Sequence, residues 1–231
     1  MSMNLRNDRG FTLAEVMVAT LVTTLVLGGA VMLTSRVQQS FKWQIEDSAG
    51  EQEGRYALDW VSRLIRAAGN NPYAMPPGDT PTIPEDDTAA CPEAGTPYSW
   101  LLMDPDADGI NDDIRLQTDS NPPDGMLGGP NEDGVCDQAM EDVTVSYDPD
   151  TSSITFLDNN IGGGTTVRTD AVIDGLLFVY KDGNHVATAD PAKVVYVETQ
   201  VRVRTRTINP LTMLPETRLL TQEVRLRGRF Y

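Results

Sequence analysis

The longest unbroken pattern in the chain is apolar. From Phe11 to Ser35 the sequence reads FTLAEVMVATLVTTLVLGGAVMLTS, with Glu15 as its only charge. A helix of roughly 25 residues, rising 1.5 Å per residue, is long enough to cross a bilayer core of ~30 Å. Beyond it, Val37, Phe41 and Ile45 recur every four residues. Ala57, Trp60, Val61, Leu64, Ile65 and Ala68 then form a second apolar stripe at helical spacing. The pattern predicts one helix that outlasts the membrane segment and stops at Gly69-Asn70-Asn71-Pro72. Gly50 and Gly54 leave open a kink or a division into two helices. Gly28 and Gly29 each cost about 1 kcal/mol relative to Ala. They either loosen the helix or admit close helix contacts in lipid.

From residue 72 to residue 140 the periodicity is lost and Pro, Gly, Asp and Asn dominate. Irregular loops are expected here, with short strands at Tyr98–Met103 and Ile114–Thr118. So long a loop region is uncommon in a compact domain and is usually functional or pinned by other means. After Glu141 the pattern turns to β. Val143–Tyr147 and Ser153–Leu157 flank the turn Asp148-Pro149-Asp150-Thr151. Ala171–Tyr180 ends at the turn Lys181-Asp182-Gly183-Asn184. In Val194–Thr207, Val195, Val197, Thr199, Val201 and Val203 face one way, and Arg218–Phe230 makes a final strand. The fold class expected is α+β, a long N-terminal helix packed on an antiparallel sheet, with a long acidic loop region. The divisions are a leader at 1–10, a membrane helix at 11–36, the outer part of the same helix at 37–69, and a globular domain at 70–231. Within that domain, residues 70–141 form the acidic loop region and residues 142–231 the sheet.

Charge sharpens this division. The net charge is −16, which argues against a nucleic-acid partner because a phosphate backbone calls for a basic face. About twenty acids and a single base, Arg115, lie between residues 70 and 160. A solvated acidic surface explains most of them. Asp104-Pro105-Asp106-Ala107-Asp108-Gly109-Ile110-Asn111-Asp112-Asp113 has more specific spacing. Asp104, Asp106 and Asp108 match the first, third and fifth positions of a calcium loop and Gly109 the sixth, with the Ile110 carbonyl and Asp112 next. Position twelve is Arg115 rather than a bidentate Glu. That leaves a looser calcium loop or a plain Asp/Gly turn. Asp119, Asn121 and Asp124 form a weaker second cluster. The two cysteines, Cys91 and Cys136, suggest one disulfide in an exported domain, the alternative being free thiols. A single histidine, His185 in a polar turn, supplies neither a zinc site nor a catalytic triad, and Gly162-Gly163-Gly164 reads as a turn rather than a phosphate loop. No convergent set of catalytic side chains appears, so the chain is not expected to be an enzyme.

The first ten residues carry Arg6 and Arg9 ahead of the apolar run, which predicts a cytoplasmic N-terminus and an outward domain. The run is too long for a cleaved secretory signal and lacks an Ala-x-Ala site. A simple anchor gives no reason for Glu15, because an unpaired charge in lipid costs several kcal/mol. Gly10-Phe11-Thr12-Leu13-Ala14-Glu15-Val16-Met17-Val18-Ala19 resembles the type IV prepilin cleavage and methylation motif. The resemblance implies that prepilin peptidase cuts between Gly10 and Phe11 and methylates the new Phe11 amine. It also implies that Glu15 meets the Phe11 amine of a neighbouring subunit and fixes its register. Many major pilins have a proline midway along this helix, and none occurs here.

Arg55-Tyr56-Ala57-Leu58, Arg66-Ala67-Ala68-Gly69, Asn131-Glu132-Asp133, Val143–Tyr147 and Ile173–Tyr180 resemble minor pilins of the PilW type. The likeness is loose outside the first thirty residues. It implies a subunit in the inner membrane with its domain in the periplasm, displayed at the cell surface once assembled. Such a subunit works with other minor and major pilins and an inner-membrane assembly platform to prime or cap a pilus. The J-type minor pseudopilin of type II secretion is similar, and a tip-located adhesive module is a further alternative.

Overall fold

The computed structural model describes residues 11–70, 99–120, 127, 138–161 and 164–227. One unbroken helix, α1, spans Leu13–Ala67, 55 residues in all. Thr12 caps it, its side chain accepting from the Glu15 N–H. The stop falls where the sequence pattern puts it. Ala68 leaves the helix with its N–H still bonded to Leu64, Gly69 takes a φ of +78°, and its N–H donates to the Gln117 carbonyl.

Eight strands follow: β1 (Leu101–Met103), β2 (Asp113–Gln117), β3 (Asp142–Asp148), β4 (Ser153–Asp158), β5 (Thr166–Val167), β6 (Ile173–Lys181), β7 (Tyr196–Arg204) and β8 (Thr217–Arg225). They make an antiparallel five-stranded sheet, β1 to β5 in sequence order, and an antiparallel three-stranded sheet, β6-β7-β8. The α+β expectation therefore holds, but the single sheet divides in two. Alternation reports which residues are buried; it does not report which strands pair. After β4 the chain leaves the first sheet through β5, a two-residue edge strand, and starts a new pairing at β6. The two sheets meet at β6, where the Phe178 N–H donates to the Asn111 carbonyl at 2.7 Å and the Ile173 N–H to that of Ser152 at 3.0 Å.

The second half of α1 lies on β7 and β8. Ala57, Leu58, Val61 and Ile65 are buried with Val197, Val201, Val203 and Val224, so the β7 alternation falls as expected from Val197 to Val203. Trp60 reaches the other sheet, meeting Phe156 of β4 edge to face at 5.9 Å. The helix runs through Gly50 and Gly54 without a break. A Cβ on Gly54 would lie 2.6 Å from Leu220 Cδ1 and 2.8 Å from Val203 Cγ1, so this glycine lets the helix backbone approach the sheet closely. At its edges α1 is tied by ions: Arg218 of β8 bonds Asp47 and Glu51, and Glu53 accepts from the Asp170 N–H.

The first half of α1 packs against none of the described strands. Every residue from Leu13 to Val37 is exposed, and the helix is long and apolar enough to cross a membrane. Its threonines do not spoil this face. Thr20, Thr23, Thr24 and Thr34 turn their hydroxyls back onto carbonyls three or four residues earlier, at 2.7–2.9 Å.

Candidate functional site

Two groups of residues singled out by the sequence fall on described backbone. At the start of α1, Phe11, Glu15 and Ala19 follow one another at four-residue spacing and share a shallow groove with Val16, Thr20, Thr23 and Thr24. Thr12-x-x-Glu15 also has the spacing of a capping box. Only half of the box is made. Thr12 Oγ1 accepts from the Glu15 N–H at 3.3 Å, while the Glu15 carboxylate has no hydrogen-bond or ionic partner among the described residues. The helix dipole favours a carboxylate at this end but does not supply a counter-ion. Glu15 is thus the one ionisable side chain of the apolar segment, and it has no partner among the described residues. Gly10 lies outside the described residues.

The second group lies between β1 and β2. Oxygens of Asp104, Asp106 and Asp108 all fall within 4.8 Å of one another. Ligands on opposite sides of one calcium ion stand about 5 Å apart at a Ca–O distance of ~2.4 Å, so the cluster has the span of a single-ion site. The loop is shaped by its own side chains. Asp104 accepts from the N–H groups of Asp108 and Gly109, and Asp108 Oδ1 from that of Ile110 at 2.7 Å. Asp104, Ala107 and Gly109 take positive φ values. Asp112 sits beside these acids. Burial, and then the Asp108 charge, raise its carboxyl above the ordinary range.

Two side chains outside the expected ligand set join this cluster: Asp113, which ends the acidic run, and Tyr180. Asp113 opens β2 and is only 4% exposed, with Oδ2 accepting from the Asp106 N–H. Its other oxygen, Oδ1, is buried and has no hydrogen-bond partner among the described residues. Burial first, then the charge of Asp106, push this carboxyl up to about 6. Tyr180 of β6 places a second unpartnered buried oxygen nearby, and burial with the Asp113 and Asp104 charges raises its hydroxyl. Alternation gives no signal for Asp113, since it sets 113 with 115 and 117 on the side of β2 opposite the core residues Ile114 and Leu116. Arg115, the residue that breaks the calcium-loop pattern at position twelve, has a different partner. It grips the fully buried Asp142 with two N–H groups at 2.7 and 2.5 Å, and Gln117 and Asn159 complete the network.

The expected disulfide pair, Cys91 and Cys136, lies outside the described residues. So do Asn121, Asp124 and the Asn131–Asp133 segment. Asp119 is described and buried, with its N–H on the Asn70 carbonyl. His185 sits exposed in its turn, stacked on Tyr196 at 4.2 Å with Nδ1 at 2.7 Å from Glu223. That places it in a surface network rather than a catalytic one.

Residues 5–31 match a family model described as the prokaryotic N-terminal methylation motif. Neither a curated protein nor a solved structure matches the chain.

Proposed function

We infer that this type IV pilin-like chain is a structural assembly subunit, a minor pilin that is cut after Gly10, methylated at Phe11 and packed by its bare helix among the helices of other pilins. One observation carries this: Glu15, in an exposed apolar helix segment, has no partner among the described residues of its own chain. In a low-dielectric bundle an unpaired carboxylate is costly. The cationic amine freed at Phe11 of a neighbouring subunit offsets that cost and sets the axial stagger. Prepilin peptidase, the assembly platform, and other minor and major pilins are the partners this implies. Segments resembling PilW-type minor pilins, Arg55–Leu58, Val143–Tyr147 and Ile173–Tyr180, fall on α1, β3 and β6.

Fractionation of the native host tests the assignment. The wild-type chain is expected in the filament or pilin-complex fraction, crosslinked to other subunits bearing the motif. Glu15→Val should be cut at the leader yet remain in the membrane as free subunit. A Glu15→Val protein that assembles like wild type contradicts the assignment. Partners from a secretion channel rather than a pilus would redirect it to the pseudopilin class.

A second property is proposed for the acidic loop: calcium held by Asp104, Asp106, Asp108, the Ile110 carbonyl and Asp112, with Asp113 as a further oxygen donor. The buried, unpartnered Oδ1 of Asp113 beside three clustered carboxylates supports it, since so much gathered negative charge calls for a cation. Calcium bound there would join the β1–β2 connection to the edge of β6.

A further inference from the structure

The connection between β7 and β8, Thr205–Glu216, is built inside out. Its interior is polar. The Thr205 N–H donates to the Glu216 carbonyl at 2.9 Å and the Asn209 N–H to that of Leu214 at 3.0 Å. Buried Asn209 caps the apex, accepting from the Leu211 N–H at 2.8 Å and donating to Glu216. Its exterior is apolar. Leu211 is 90% exposed and Met213 71%, with Ile208 and Leu214 beside them. A loop washed only by water has no reason to hold four large apolar side chains outward around a hydrogen-bonded frame.

Position and charge indicate what covers it. Along β8, Leu220 lies against Gly54, and Arg218 reaches Asp47 and Glu51. The strand therefore runs toward the apolar end of α1 as it nears the loop. From Asp47 back to Arg36 the helix descends roughly 16 Å at 1.5 Å per residue. From Arg204 to the apex near Leu211 the hairpin can extend on the order of 20 Å at ~3.3 Å per residue. That reach is an upper bound set by extended backbone, and it is enough to bring the loop tip to the level at which the apolar segment of α1 ends. Residues 207–215 carry no charge, while Arg204 and Arg206 stand at the base of the loop in a chain of net charge −16. Arg206 bonds only the Ala171 carbonyl and has no carboxylate partner among the described residues; Arg204 makes a long ion pair with Asp174 at 3.8 Å, and Glu216, at the other end of the loop, turns its carboxylate inward onto Asn209. These groups line a cleft of about 520 Å³ that opens beside Ile208. An apolar tip with a basic collar matches the bilayer interface, where acyl chains lie beneath anionic phosphates.

We propose that the β7–β8 loop is a membrane-docking element. Ile208, Leu211, Met213 and Leu214 enter the interfacial layer of the bilayer that α1 spans, and Arg204 and Arg206 meet lipid phosphates. The domain is then held at two points, α1 and the loop, and cannot swing freely on its stalk before assembly. The inference rests on α1 being in the membrane.

Photocrosslinking of the full-length chain tests both. Benzophenone-alanine is placed at Leu211, at Leu25 within the span, or at Val186. Val186 is 60% exposed in the turn at the opposite end of β6 and β7. The chains are reconstituted in vesicles of phosphatidylethanolamine and phosphatidylglycerol. Lipid adducts at Leu211 are expected on the order of tenfold above those at Val186, alongside strong adducts at Leu25. Replacing both Arg204 and Arg206 with Gln should cut the Leu211 yield without changing that at Leu25. Adducts at Leu25 with none at Leu211 above the Val186 level overturn the docking loop. Protein–protein adducts at Leu211 in place of lipid also overturn it, the occupant then being a second copy. No adducts at Leu25 overturn the membrane assignment itself.

Discussion

Gly54 and Leu220 mark a close approach of helix to sheet: a Cβ on the glycine would lie 2.6 Å from Leu220 Cδ1. Two opposed effects meet here. Gly→Ala within a helix gains about 1 kcal/mol in propensity. Overpacking costs roughly 1–3 kcal/mol, and the stiff Val203 Cγ1, 2.8 Å away, limits relaxation. Gly54→Ala should therefore lower the melting temperature of the full-length protein in detergent. Gly50→Ala, with nothing within 4 Å of its Cβ, should raise it. The pair of measurements separates helix propensity from packing.

Arg218 fastens β8 to the stalk, at 2.7 Å from Asp47 and 3.3 Å from Glu51. The pair is partly exposed, so a double-mutant cycle of Arg218→Ala with Asp47→Ala should return a coupling of about 0.5–1 kcal/mol. The coupling should shrink in high salt. A cycle that closes to zero at low salt would show that the contact does not hold the stalk.

Asp113 can be tested with and without metal. Burial raises its carboxyl to about 6, so its ionised form is costly in the fold at neutral pH. In chelator, Asp113→Asn should be more stable than wild type by on the order of 1 kcal/mol. At millimolar calcium the order should reverse, with wild type gaining roughly 5 °C in melting temperature and the variant much less. Equal melting of wild type in calcium and chelator would remove the site.

Lys181 bonds Glu198 and, at 2.8 Å, Glu223. Its hydrogen bonds are the first cause holding both carboxyls below their ordinary range. Because the folded values lie below the unfolded ones, this stabilisation is present above a pH of about 4.3 and is lost as the pH falls through the folded values. Between pH 5 and pH 3 the denaturation midpoint of wild type should fall further than that of Lys181→Met.

Much of this fold is written in periodicity. The stripe Ala57-Val61-Ile65 and the β7 alternation from Val197 to Val203 report one-dimensional burial, and both appear where the pattern puts them. Pairing is different. The division into two sheets depends on contacts between distant segments, and the two-residue β5 is too short to leave a pattern. Gly54 reads in sequence as a helix breaker, and only the positions of Val203 and Leu220 reveal why it is small. At the candidate sites, Glu15 stands out because a charge in an apolar run is conspicuous. Asp113 is one acid among about twenty in its region, and nothing local marks it as the buried one. The outward apolar side chains of the β7–β8 loop are equally unremarkable in sequence, where Leu and Met ordinarily signal core.

The mature N-terminus is where the assembly assignment stands or falls. The full-length chain should be produced with a prepilin peptidase and its intact mass measured. The expected product begins at Phe11, carries one added methyl group on its amine, and has lost residues 1–10. A chain that still begins at Met1, under conditions where a control prepilin is cut, would leave Glu15 without the cation that explains it.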